Sequence, residues 1–162
     1  MQIRTVDLKL VGVQGILDPA ADFSADLQAL WRKVTSRVGE VRHLSAPARA
    51  VGYWHFVDDR TRVYWAGILV DSLDGFRWDR PYGWVAWAPG LTTFAAFREP
   101  NGAEGTVAHT AETYGAIGRA GYTYDHRFIG DFEVVPLAWK VEGHYPDDGE
   151  HEVWIPVVAK CR

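Results

Sequence analysis

The sequence predicts an α+β fold: duplicated strand-helix-strand-strand modules related by a pseudo-two-fold axis, their strands joined in one antiparallel sheet with two helices on one side. Three observations lead there. The first is a pair of segments, Val63-Tyr64-Trp65-Ala66-Gly67-Ile68-Leu69-Val70-Asp71 and Glu152-Val153-Trp154-Ile155-Pro156-Val157, in which large aromatics alternate with small or aliphatic residues. Successive side chains of a strand point to opposite faces, so one face of each segment can pack a core while the other is lined with aromatics. The second is that each segment closes a similar run of strand-like and helix-like periodicities, placing pseudo-repeats at about 1–72 and 80–162. The third is length: 162 residues make a single domain that buries roughly two thirds of its unfolded surface.

The elements follow in order. Val6, Leu8, Leu10, Val11 and Val13 make residues 5–14 a strand ending near Gly15. After the Asp18-Pro19 turn signal, Leu27, Leu30, Trp31, Val34 and Val38 fall on one helical face. That helix is entered at Asp22 or Ser24 and stopped at Gly39. Strands over 50–56 and 62–70 are joined by the polar turn Asp58-Asp59-Arg60-Thr61. The second half offers a strand at 84–88, another apolar segment at 92–98 and a loop rich in Pro, Asn and Gly. A helix then starts near Thr106, with Val107, Ala111, Tyr114 and Ile117 or Gly118 inward; its three glycines make it intrinsically weak. Strands at 131–137 and 152–158 end the half, connected through the acidic loop Asp147-Asp148-Gly149-Glu150. A cleft where the two halves meet is the expected ligand site.

Bulk properties narrow the function. A net charge of -4 with scattered basic residues argues against nucleic acid, which requires a concentrated Lys/Arg surface. One cysteine, Cys161, permits neither an internal disulfide nor a thiolate metal site. No signal-peptide pattern and no bilayer-length apolar run is present, so a cytoplasmic protein without membrane association is expected. The histidines are not spaced as metal ligands with carboxylates, and Gly-x-Gly-x-x-Gly, P-loop and Gly-x-Ser-x-Gly patterns are absent. No metal or cofactor is expected. Aromatics stand out, with eight Trp, seven Tyr and seven Phe.

The Asp-Pro turn, the Leu-x-x-Leu-Trp helix, Tyr-Trp-Ala-Gly-Ile-Leu-Val-Asp, Glu-Thr-Tyr-Gly-Ala-Ile, Phe-Glu-Val and Glu-Val-Trp-Ile-Pro-Val occur in this order along nearly the whole chain. In this the sequence resembles the GyrI-like small-molecule-binding domain family. The resemblance implies duplicated strand-helix-strand-strand modules, found in gyrase-inhibitor proteins, in effector domains of multidrug-responsive regulators and in stand-alone proteins. Some stand-alone members are cyclopropanoid cyclopropyl hydrolases, which open cyclopropane rings of DNA-alkylating natural products and so confer antibiotic resistance. No helix-turn-helix accompanies the modules here. The resemblance also implies a buried carboxylate among aromatics.

A cation that neutralises a buried acid while stacking on rings gains both electrostatic and cation-π terms. Glu152, Glu133 and Glu112 are the candidate acids, Glu152 because it shares a strand face with Trp154. Tyr53, Tyr64, Trp65, Trp87, Tyr114 and Trp154 are the candidate ligand-binding aromatics, with Glu133 beside them. Three functions remain open. One is a binding protein for planar, lipophilic, often cationic compounds. Another is a hydrolase in which Glu112 and Glu152 form an acid-base pair over the same cleft. The last is a protein-interaction module acting through exposed aromatics. A monomer and a dimer are equally compatible with the sequence.

Overall fold

The computed structural model describes residues 1–18, 22–56, 61–76, 84–98, 110–142 and 151–161. Strand β1 (Gln2–Leu17) is apolar on both faces along its middle, with Leu8 and Leu10 turned one way and Val11, Val13 and Leu17 the other. Both faces of it are therefore covered. Helix α1 (Ser24–Thr35) starts beside Asp22, whose carboxylate accepts from the Ser24 N–H at 3.0 Å, and passes into a 3-10 turn at Val38–Glu40. Strands β2 (Arg49–Phe56) and β3 (Arg62–Leu69) complete the first half.

The second half holds β4 (Val85–Arg98), α2 (Ala111–Arg119), β5 (Tyr122–Tyr124), β6 (Phe132–Pro136), α3 (Leu137–Glu142) and β7 (Glu152–Ala159). The two expected pieces at 84–88 and 92–98 are one strand. They are joined through a bulge in which Ala88 and Pro89 oppose the single residue Lys9, where the register against β1 shifts between Leu8 and Leu10, beside Gly90 at φ +84°. The extra residue matters for facing: Trp87 and Phe94 are seven apart, an odd spacing that strict alternation would split, yet the bulge returns both to the same face. Helix α2 is capped by Thr110, whose hydroxyl accepts from the Thr113 N–H; the expected start near Thr106, with Val107, lies outside the described residues. Strand β5 and helix α3 have no counterpart in the sequence-based expectation.

Every strand pairing is antiparallel, in the order β4-β1-β3-β2-β6-β7-β5. Strand β4 also pairs with β7, which closes β1, β3, β2, β6, β7 and β4 into a ring. Pseudo-two-fold symmetry is written in these partners. The β1–β3 pair matches β4–β7, and β2–β3 matches β6–β7. The seams β1–β4 and β2–β6 each join a strand to its counterpart.

Three apolar clusters follow from this closure. On the outer surface, α1 buries Leu30 and Val34 against Val11, Val13, Ala66 and Ile68, with Trp84 and Trp139 in the same cluster. Also outside, Ile117 of α2 packs on Ala95, Phe97, Val153 and Ile155. Inside the ring lie Leu8, Leu10, Val51, Val134 and a set of aromatics. Both long helices are thus on one side of the sheet, and the ring interior is left to side chains of the strands and the segment before β6. No helix among the described residues is long and apolar enough to cross a membrane.

Candidate functional site

The interior contains a continuous run of rings. Trp65 on β3 meets Trp87 on β4 at 5.7 Å between centroids. Trp87 lies nearly parallel to Phe132 on β6, at 5.9 Å and 8°, with the Tyr53 ring stacked on both, 5.2 Å from Trp87 and 4.4 Å from Phe132. Phe132 then meets Phe94 at 5.3 Å, and Phe94 meets Trp154 on β7 at 5.3 Å. Phe128 closes edge-on against Trp87 and Phe132. Strand alternation puts the strand-borne rings inside, with Phe128 supplied by the segment before β6, and the partners Tyr53 and Phe132 stack because they face each other directly across the β2–β6 seam. Trp65 and Trp87 are half-buried while Phe94 and Phe132 are fully enclosed, so the ladder runs from an accessible end into the centre.

The Trp154 end of the ladder carries an ion pair, in which the Arg4 side chain is 32% exposed. Glu152 is 7% exposed and takes both terminal nitrogens of Arg4, Nη1 to Oε2 at 2.7 Å and Nη2 to Oε1 at 3.0 Å. The Trp154 indole N–H donates to the same Oε2 at 2.8 Å. Arg4 is further held by Gln2 through Nε and Nη2, and its guanidinium stands 5.8 Å from the Trp154 ring centroid.

At the other end, the turn preceding β6 is tied by tyrosines. The Tyr53 hydroxyl accepts from the Ile129 N–H. The Tyr124 hydroxyl donates to the Gly130 carbonyl at 3.2 Å and accepts from its N–H at 2.9 Å. Burial pushes the Tyr124 phenol up to about 12, with the nearby Asp131 carboxylate acting the same way and the Gly130 bond opposing it. Tyr53 is raised by burial and then by Asp131, as is Tyr114.

Of the residues singled out from the sequence, Tyr53, Trp65, Trp87 and Trp154 meet inside the ring. Tyr64 is buried on the outer surface, accepting from the Trp31 indole N–H at 3.1 Å. Glu133 also lies outside, 3.3 Å from the Lys140 ammonium and 3.5 Å from the Tyr64 hydroxyl, with Lys140 poised 4.6 Å from the Trp31 centroid. Glu112 and Tyr114 are exposed on α2, which packs on the Val153/Ile155 side of β7. Glu152 projects from the opposite side, so the expected carboxylate pair does not assemble across β7. Four contributors escaped the sequence reading: Arg4, Phe94, Phe128 and Phe132. Parity along β1 and β6 marked Arg4 and Phe132, since each is an even number of residues from Leu8 or Val134; Phe94 was hidden by the bulge. Among the described residues no three His, Cys, Asp or Glu side chains cluster to hold a metal.

No protein-family model matches the sequence, and none of the curated proteins does. Solved structures do match. SAV2435 bound to tetraphenylphosphonium superposes with a TM-score of 0.61 at 14% identity, over 97% of this chain and 93% of that one. The EcmrR C-terminal domain gives 0.64 at 12%, over 98% and 97%. EcmrR in its complex with DNA gives 0.60 at 14%, but only 57% of that longer chain is covered. With its ring of paired modules and outer helices, the chain has the GyrI-like fold.

Proposed function

We propose that this is a small-molecule-binding protein that takes planar, lipophilic compounds into the aromatic interior of its strand ring, in the multidrug-type mode. The carrying observation is the ladder Trp65–Trp87–Phe132–Phe94–Trp154, entered from its half-buried end. Offset and edge-on ring contacts contribute about 0.5–1.5 kcal/mol each beyond burial. A flat ligand inserted beside Trp65 and Trp87 replaces such contacts with equivalent ones, at little cost to the protein. Trp65 and Trp87 are the first rings it meets, the buried Tyr53 ring stacks behind Trp87, and Trp154 is the last. Tetraphenylphosphonium in SAV2435, a structure of the same fold, supports a ligand role for this architecture. Among the described residues the exposed large apolar side chains include one aromatic, Tyr114, which speaks against an interaction module working through exposed rings.

Quenching of intrinsic tryptophan fluorescence by a planar polycyclic compound tests the reading. Saturable quenching is expected, weakened about tenfold or more in Trp87→Leu, since a stacking partner is lost. Absence of saturable quenching in the wild type would overturn it.

A further inference from the structure

We infer that this interior selects uncharged planar compounds over lipophilic cations, because Arg4 already occupies the position a ligand's cation would take. The inference rests on the small-molecule reading above. A lipophilic cation gains from an aromatic site in two ways, by facing a desolvated carboxylate and by standing over a ring. Here one side chain of the protein does both. Arg4 forks onto the two oxygens of Glu152 at 2.7 and 3.0 Å and sits 5.8 Å from the Trp154 centroid. The indole N–H of Trp154 adds a further donor to Oε2.

Guanidinium stays charged at all ordinary pH and matches a carboxylate in two parallel hydrogen bonds. Glu152 is therefore neutralised by the protein's own side chain, from a position that is one-third exposed on the Arg4 side (32%). An incoming cation must first expel Arg4, and it cannot replace the fork of donors with a single diffuse charge. Gln2 opposes the expulsion, since its side-chain oxygen accepts from Nε at 2.9 Å and from Nη2 at 2.6 Å. What remains for a ligand is stacking area without net charge, and that favours neutral rings.

Phenanthridine and N-methylphenanthridinium, near-isosteric and differing by one positive charge at neutral pH, are the probes. Fluorescence titrations of both on the wild type, Arg4→Met, Glu152→Gln and the Arg4→Met/Glu152→Gln double variant read the ratio of their affinities. The wild type is expected to bind phenanthridine at least as tightly as the cation. Arg4→Met should shift the ratio toward the cation by about tenfold or more, and Glu152→Gln in the same background should abolish that shift. Glu152→Gln alone keeps the side chain's shape and leaves Arg4 uncompensated. Loss of cation binding with phenanthridine unaffected is expected, and it supplies the readout if Arg4→Met fails to fold. Two results overturn the inference while leaving the pocket intact: an unchanged ratio in Arg4→Met and Glu152→Gln, or a wild type that prefers the cation through Glu152. If neither compound binds any variant, the pocket reading itself fails and this inference falls with it.

Discussion

At the scale of single residues, what each side chain does is decided by its parity along a strand and by its partners. Trp154 and Glu152 share a face by spacing alone, and the structure joins them by a 2.8 Å hydrogen bond. Adjacent Tyr64 and Trp65 cannot share one, and they separate to the outer and inner clusters. Sequence alone was blind to Arg4 as the partner of Glu152, because 148 residues separate them and only the β4–β7 closure brings β7 beside β4 and so near β1. Tyr124 illustrates a different residue-scale role. Its hydroxyl is both donor and acceptor for Gly130, so Tyr124→Phe leaves a buried N–H without its partner and should cost about 1–3 kcal/mol in urea unfolding. The phenol is held up to about 12 by burial, above its ordinary value near 10 in the unfolded chain. The native state thus retains the proton more tightly. The associated stability is complete below about pH 10 and is lost as pH rises toward 12, more steeply in the wild type than in Tyr124→Phe. Coincident alkaline unfolding curves for the two proteins would contradict this role.

At the scale of elements, close backbone approach and one bulge shape the ring. Gly12 on β1 faces Gly67 on β3, and a Cβ on Gly12 would sit 2.1 Å from the Ala66 carbonyl oxygen. That atom is backbone and cannot swing aside as a flexible side chain would. Gly12→Ala should therefore destabilise the protein by about 1–3 kcal/mol or more through displacement of paired strands; an unchanged urea midpoint would show that β1 and β3 can part there without penalty. Element order was legible in the sequence because periods of two and of 3.6 residues differ sharply, as in 62–70 against Leu27, Leu30 and Val34. The continuity of β4 was not, since Pro89-Gly90 reads as a turn and only its pairing with β1 reveals a bulge. Short elements such as α3 and β5 lack the length for any periodicity to emerge, and tertiary packing of Leu137 and Trp139 makes the helix.

At the scale of the whole molecule, closure of six strands creates an inside and an outside, and the seven tryptophans among the described residues divide between them. Trp31, Trp54, Trp84 and Trp139 belong to the outer cluster under α1. Trp65, Trp87 and Trp154 belong to the inner one. The abundance of tryptophan was evident in the sequence; this division was only half evident, since it depends on strand partners as well as alternation. Binding in the interior must respect it. The most direct measurement is the shift of the indole N–H resonances in a nitrogen-15 correlation spectrum on titration with phenanthridine, assigned by single Trp→Phe variants. Saturable shifts are expected at Trp65, Trp87 and Trp154, with Trp31, Trp54, Trp84 and Trp139 unmoved. Shifts confined to the outer set, or no saturable shift at Trp65 and Trp87, would contradict binding in the interior.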